Sequence, residues 1–173
     1  ERRMGLNVIM MGPPGAGKTH LAQAIGDEAI KMDFHVLYRS IFDLVNDFLR
    51  DEAFSQKERT VRKYLKPDLL IIDDMGLKSL PKHSAEYLLE VIMRRYENRA
   101  TIMTSNRPLE DWGKLPQDVP TAGASLDPFL PHAQYLPITG PSYRPPRVAP
   151  PHSPPDPAPP PPPPAPLPPP AHP

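Results

Sequence analysis

Eight consecutive residues carry the strongest chemical signal in this sequence. They match the pattern G-x-x-x-x-G-K-[ST] in full: Gly12, Pro13, Pro14, Gly15, Ala16, Gly17, Lys18 and Thr19. Glycines let such a loop turn its backbone N–H groups around a phosphate at the positive end of the next helix. The lysine would neutralise β- and γ-phosphate charge, and the threonine hydroxyl would bind Mg²⁺. The pattern predicts a triphosphate-binding loop, although a Gly/Pro-rich turn with an exposed lysine has the same composition.

Two adjacent carboxylates, Asp73 and Asp74, follow the apolar run Leu69–Ile72. If that run is a parallel strand, its carboxyl end lies beside the phosphate loop, where Asp73 would hold Mg²⁺ through water and Asp74 would polarise the attacking water. Acids after an apolar run are a weak signal alone, because strand ends are often polar. Here Asp73 comes 55 residues after Lys18, with alternating helices and strands between them. That spacing predicts that the two motifs form one site.

A third polar strand end follows at Met103–Asn106. A side chain there could lie between the γ-phosphate and Asp73 and orient water. An Asx turn before Pro108 explains the same residues equally well. Spacing alone leaves both interpretations of Asn106 open.

Apolar runs alternate with amphipathic segments through the first two thirds of the chain. The runs predict four buried strands, and the segments between them predict helices: strands Leu6–Met11, His35–Arg39, Leu69–Ile72 and Ala100–Thr104, and helices Thr19–Lys31, one opened by Ser40, Gln56–Lys66 and Lys82–Asn98. Uniformly apolar strands alternating with helices indicate βαβ units and a parallel sheet covered on both faces. We therefore predict a three-layer α/β fold of the P-loop NTPase type.

Helical periodicity also predicts which side chains face the core. In the first helix these are Leu21, Ala24 and Ile25. In the second they form the stripe Ile41, Leu44, Val45, Phe48 and Leu49. On the third helix, four basic residues share one face: Arg59, Arg62, Lys63 and Lys66. Such a face can follow DNA phosphates, although a solvated helix surface has the same pattern.

From Leu115 onward prolines interrupt the pattern, and Gln134–Thr139 is at best an edge strand because it contains Pro137. Of the 29 prolines in 173 residues, 16 fall in 150–173. We divide the chain into one phosphate-loop domain, 1–148, whose part 115–148 is degenerate, and a proline-rich tail, 149–173, that we expect to be disordered.

Composition excludes several classes of protein. Twenty basic residues balance 20 acidic ones, which argues against a polybasic protein, and the lack of cysteine excludes disulfides and Cys-ligated metals. No apolar run reaches the roughly 18 residues of a membrane span, and no signal-peptide pattern is present. The default expectation is a soluble cytoplasmic protein without a membrane partner.

The two phosphate-site motifs and the polar third strand end, in this order, resemble the AAA+ ATPases. More narrowly, the chain is similar to the IstB-like transposition helper ATPases, relatives of the DnaC-type helicase loaders. The resemblance spans roughly 4–144 and rests on these segments: Gly12–Ala22, Pro67–Asp74, Arg94–Glu97, Thr104–Pro108, Trp112-Gly113, Ile138–Gly140 and Ser142–Arg144.

This resemblance implies an ATP-binding core that forms homo-oligomers on DNA and signals to a partner protein. The partner would be a transposase, or a replicative helicase for a loader. Asn106 would be the sensor of the γ-phosphate, and Arg144 would be a candidate second sensor. Family members also carry an N-terminal helical region that recruits the partner. This sequence lacks that region, so we expect the chain to be a fragment.

The sequence departs from the family at Asp127-Pro128, where Asp-Arg is usual. That arginine is thought to reach the nucleotide of a neighbouring subunit, and an arginine finger contributes about 10³–10⁵ in rate. Proline supplies neither charge nor donor. We therefore expect ATP binding to persist with stimulated hydrolysis impaired. A helicase loader and a nucleotide-binding remnant without turnover stay open as alternatives.

Overall fold

The computed structural model describes residues 5–53, 57–75, 82–108 and 130–142. The predictions for Pro128, Arg144, Trp112-Gly113 and the tail lie outside the described residues, as does the predicted boundary after residue 148. Five strands are described: β1 (Asn7–Met11), β2 (Val36–Ser40), β3 (Leu69–Asp73), β4 (Ala100–Ser105) and β5 (Gln134–Pro137). Four α-helices and a short 3₁₀ turn connect them: α1 (Lys18–Lys31), α2 (Ile41–Ala53), α3 (Lys57–Leu65), α4 (Lys82–Tyr96) and the turn Leu130–His132.

The strands form one sheet in the order β2-β3-β4-β1-β5, and every pairing is parallel. In this register Met11 lies beside Ser105, and Ser40 lies beside Asp73. The carboxyl ends of β1 to β4 therefore meet at one edge of the sheet. Ligands of open parallel sheets bind at this edge.

Helices cover both faces of the sheet, which confirms the predicted fold class. Successive strand residues point to opposite faces. Leu70 and Ile72 pack with α2, α3 and α4, while Ile71 packs with Ala22 of α1 on the other face. Such burial on both sides explains why these strands are continuous apolar runs rather than alternating ones.

The prediction of which α1 residues face the core is wrong. Leu21 and Ile25 are 38% and 37% exposed, and Ala24 is exposed too. The helix instead buries Ala22 and Gly26. A Cβ added at Gly26 would lie 3.0 Å from Ile71 Cδ1, so the helix axis is too close to the sheet for larger side chains. Small residues determine this contact, and hydrophobic periodicity does not detect them.

The stripe on α2 is largely confirmed, and so is the edge strand. Ile41, Leu44, Val45 and Phe48 are buried, whereas Leu49 is 41% exposed, contrary to the prediction. Strand β5 ends at Pro137, has exposed side chains and pairs with β1 on one side. Both its exposure and its terminal proline are typical of an edge.

One arginine on α4 is completely buried. Arg95 donates from Nη1 to the carbonyls of Tyr64 and Pro67, at 2.9 Å each. Its Nη2 donates to Ala100 O at 2.6 Å, and its Nε donates to Thr101 Oγ1 at 3.1 Å. Burial lowers the pKa of Arg95 to about 10, so the side chain is a cation at neutral pH. The arginine thus joins the end of α3 and the segment before β3 to the start of β4.

Within the residues that the structure describes, none of the helices combines the length and apolar character needed to cross a bilayer.

Candidate functional site

The loop between β1 and α1 adopts left-handed backbone conformations at Gly15 and Gly17, with φ values of 83° and 93°. Residues with a Cβ rarely adopt these angles, so glycine is required at both positions. Gly17 is the N-cap of α1, and none of the described side chains caps this end. Its uncapped N–H groups and the positive end of the helix dipole favour an anion here.

The side chain of Lys18 is held inside this loop. It is 8% exposed, and its Nζ donates to Gly12 O at 2.7 Å and Pro13 O at 2.8 Å. A Cβ added at Gly12 would lie 2.1 Å from the Ile138 carbonyl oxygen, so the start of the loop is pressed against the residue that follows β5. Its two hydrogen bonds place the Lys18 ammonium group in the curve of the loop, where it could neutralise phosphate charge.

Three hydroxyl groups hold the carboxylate of Asp73, which is 7% exposed. Thr19 Oγ1 lies 3.0 and 3.1 Å from its two oxygens. Tyr38 donates to Oδ2 at 2.6 Å, and Thr104 donates to Oδ1. Burial, followed by the hydrogen bond and charge of Asp73, raises the pKa of Tyr38 to about 12, so the phenol is protonated at neutral pH. The predicted Thr19–Asp73 pair is thus in direct contact.

Asp74 has a left-handed backbone with a φ of 62°, which is uncommon for a residue other than glycine. Its N–H donates to Thr104 Oγ1 at 2.9 Å, and the next N–H, of Met75, donates to Thr104 O at 2.8 Å. These bonds hold the chain against β4 beyond Asp73, and Met75 is buried in the core. Asp74 itself is exposed and lines the cavity beside the loop.

Asn106 also lines this cavity, directly after β4. The turn before Pro108 is made by Ser105, whose Oγ accepts the N–H of Arg107 at 3.0 Å and donates to the Arg107 carbonyl at 3.2 Å. Among the described residues, the side-chain hydrogen bonds of this turn are those of Ser105. The structure leaves the Asn106 side chain at the cavity wall.

The cavity has a volume of about 710 Å³, within the usual range for small-molecule sites. Ten of the described residues line it: Pro14, Gly15, Gly17, Lys18, Thr19, His20, Asp73, Asp74, Thr104 and Asn106. Eight of these were predicted from the sequence. The other predicted loop residues, which do not line the cavity, hold the loop through hydrogen bonds. The Gly12 and Pro13 carbonyls accept from Lys18 Nζ, and Ala16 N donates to Pro13 O at 3.3 Å.

Sequence reasoning missed the roles of Thr104 and Tyr38. His20, which follows Thr19, is exposed and also lines the cavity. The signal for Thr104 is its place in a segment that carries the family resemblance. In the structure, Asp73 and Thr104 each directly follow one member of the β3–β4 pair Ile72 and Met103. No sequence signal marks Tyr38, because its contact depends on the pairing of β2 with β3.

The residues present fit a magnesium ion bound together with phosphates. Among the described residues, no group of three or more His, Asp and Glu side chains gathers that could form an all-protein metal cage. Mg²⁺ instead typically takes one or two protein oxygens, with water and substrate phosphates as its other ligands. The Asp73 carboxylate and the Thr19 hydroxyl supply such oxygens beside the loop.

A second, smaller cavity of about 410 Å³ lies along α3. The four basic residues that were predicted to share one face of the third helix line it, together with His35, Leu37 and Pro67. Lys63 also donates to Asp47 Oδ2 at 2.6 Å, which neutralises part of the charge. We call this cavity the basic groove.

Comparison of the sequence with known families gives one consistent result. The family model described as "IstB-like ATP binding protein" matches residues 3–148. The ATP-binding protein of insertion sequence IS5376 from Geobacillus stearothermophilus is 43% identical over 138 residues, covering 80% of this chain and 55% of that protein. The ATP-binding protein of insertion sequence IS21 from Pseudomonas aeruginosa is 36% identical over 138 residues, with 80% and 52% covered. The chain therefore spans about half the length of these curated relatives.

Solved structures support the fold. The DnaC helicase loader superposes with a TM-score of 0.66 at 23% identity, covering 80% of this chain and 81% of that chain. AMPPCP-bound DnaA from Aquifex aeolicus gives a TM-score of 0.66 at 23% identity, with 78% and 40% covered. At this level of identity the likeness concerns the fold alone, which agrees with the predicted AAA+-type α/β core.

Proposed function

Because the chain belongs to the IstB-like ATP-binding proteins, we propose that it is the ATP-binding core of a helper protein of DNA transposition. The observation that carries the proposal is the cavity at the carboxyl edge of the sheet, where the phosphate loop, the Thr19–Asp73 pair and Asn106 come together. The curated relatives are ATP-binding proteins of insertion sequences, which supports the transposition context.

Each residue of the cavity has a chemical role in this proposal. Lys18 and the N–H groups of the loop bind the β- and γ-phosphates. Thr19 and Asp73 hold Mg²⁺, which supplies positive charge to phosphate oxygens when it is bound. Asp74 orients and polarises the attacking water, and Asn106 contacts the γ-phosphate from the end of β4.

Turnover is proposed to be slow. Pro128 replaces the arginine that the family resemblance implies for a neighbouring subunit's site, and Arg144 is proposed as a second sensor. Nucleotide binding does not depend on either residue in this proposal. A protein that binds ATP tightly with little hydrolysis, even with DNA present, is therefore the expected behaviour.

We test nucleotide binding by titrating the protein into a fluorescent ATP analogue with Mg²⁺, and we measure phosphate release separately with and without DNA. Lys18→Ala should weaken binding about 10–100-fold, because it removes charge-assisted hydrogen bonds to phosphate. Lys31→Ala is the matched control, since that exposed lysine ends the same helix and pairs with Glu28. The proposal is overturned if the protein binds neither ATP nor ADP, or if both variants bind alike.

The proposed DNA contact is the basic groove, and we propose that the protein oligomerises on DNA and acts on a transposase. The double variant Arg62→Gln/Lys66→Gln should reduce the slope of log affinity against log salt by about 2, since each phosphate contact contributes about 0.9. Lys31→Gln/Arg94→Gln removes the same net charge elsewhere and should leave the slope unchanged. Equal slopes for the two variants would remove the groove from the interface.

The partner is tested with the transposase of the same insertion sequence. Retention of the transposase by the ATP-loaded protein on DNA supports the proposal. Retention of a replicative helicase instead would select the loader alternative and refute the transposition role.

A further inference from the structure

Tyr38 lies beside the proposed metal-binding carboxylate, although it belongs to a strand that no motif connects with nucleotide chemistry. In the register of β2 and β3, Tyr38 is level with Ile71, two residues before the strand end occupied by Asp73. Its long side chain spans that distance and places the hydroxyl 2.6 Å from Asp73 Oδ2. Phenylalanine would fill the same space but could not reach the carboxylate with a donor.

The three hydroxyl groups around Asp73 contact its two oxygens differently. Thr104 Oγ1 accepts the N–H of Asp74, so its own proton is directed to Asp73 Oδ1. Thr19 lies at similar distances from both oxygens and does not select one of them. Tyr38 is therefore the phenol that fixes Oδ2, while Thr104 fixes Oδ1 from the neighbouring strand. Together they restrict rotation of the carboxylate plane.

We propose that Tyr38 is a positioning residue of the nucleotide site, whose hydroxyl holds the Asp73 carboxylate in the orientation that Mg²⁺ requires. The inference rests on the proposed function, because it needs Asp73 to serve the metal. Mg²⁺ demands near-ideal octahedral geometry from its ligands, waters included, so a carboxylate that rotates supports it poorly, whether directly or through water. Residues that orient metal ligands typically contribute 10–100-fold to metal affinity.

The experiment measures how much Mg²⁺ is needed to support binding of a fluorescent ATP analogue. In Tyr38→Phe, the midpoint of the Mg²⁺ titration should rise about tenfold. Affinity for the analogue in EDTA should stay within about twofold of the wild type, because the loop and Lys18 are unchanged. Circular dichroism on the same samples reports folding directly.

The chain offers a close control in Tyr64, whose hydroxyl donates to Asp47 Oδ2, also at 2.6 Å. This pair lies on the sheet face opposite α1, and neither residue lines the cavity beside the loop. Tyr64→Phe removes an equivalent phenol–carboxylate hydrogen bond. It should lower stability and leave the Mg²⁺ midpoint unchanged. A role of Tyr38 in stability alone would make the two variants behave alike.

The outcomes separate the two proposals. If wild-type protein does not bind the analogue with Mg²⁺ present, the nucleotide function itself fails. If it binds and Lys18→Ala weakens that binding, an unchanged or lower Mg²⁺ midpoint in folded Tyr38→Phe overturns the positioning role alone. A selective rise in that midpoint supports it.

Discussion

Replacing the buried Arg95 by methionine should destabilise the protein by about 3 kcal/mol. Methionine occupies a similar elongated space but cannot donate to the three carbonyls and one hydroxyl that Arg95 satisfies. Those carbonyls lie at the end of α3, before β3 and at the start of β4. The change therefore tests whether one cation holds together the amino-terminal ends of two central strands.

The magnitude follows from the groups left without a donor. Each buried polar group that loses its partner costs about 1–3 kcal/mol, so three carbonyls give an upper range of about 3–9 kcal/mol. Removing the desolvated cation recovers part of this cost, since burial disfavours the charge enough to lower the pKa of Arg95. The remainder, about 3 kcal/mol, is a large part of the 5–15 kcal/mol by which a typical domain is stable.

Urea unfolding followed by circular dichroism measures the effect. With a slope of about 2 kcal/mol/M, the midpoint should fall by roughly 1.5 M. Arg94→Met is the control: it neighbours Arg95 on α4, its side chain is 54% exposed, and it pairs with Glu90 at 3.2 Å. Such a pair contributes about 0.3–0.5 kcal/mol. The reasoning is refuted if both variants lose the same stability. Arg95→Lys, which keeps the charge without the planar fork, should be intermediate.

Three further predictions concern packing and pH. Gly12→Ala should lose about 1–3 kcal/mol in urea unfolding, because the new Cβ would lie 2.1 Å from the Ile138 carbonyl oxygen, and wild-type stability would contradict that close approach. Gly26→Leu should cost at least as much, because its side chain would overlap Ile71 on the sheet; a neutral result would mean that α1 does not pack through this face. The pKa of Asp47 is lowered, because hydrogen bonds from Lys63 and Tyr64 outweigh the opposing effect of burial. Its contribution to stability is therefore present above the usual carboxyl pKa of 3.8 and is lost as the pH falls through the lower pKa of the folded protein. Asp47→Asn should be less stable than wild type at pH 7 by about 1.5–3 kcal/mol, and the difference should shrink as the pH falls below that folded pKa. A gap that stays constant with pH in urea unfolding would exclude this linkage.

Much of the site could be predicted because its signals are local. The loop Gly12–Thr19 needs its glycines in fixed order, since Gly15 and Gly17 adopt left-handed backbones. Asp73 is the last residue of a strand that is buried on both faces, and such a strand is recognisable in the sequence as a continuous apolar run. The inner face of α1 could not be predicted in this way, because a helix can approach a sheet through Ala22 and Gly26 and leave larger apolar residues exposed.

Sequence by itself determined the parallel α/β class, the phosphate loop and the carboxylates that follow the third strand, because each depends on residues adjacent in the chain. Tertiary structure alone decided which distant side chains meet. Tyr38 and Thr104 reach Asp73 from strands on either side, and Arg95 joins segments about 30 residues apart in the chain. Such contacts depend on strand order and register, which composition and periodicity do not encode.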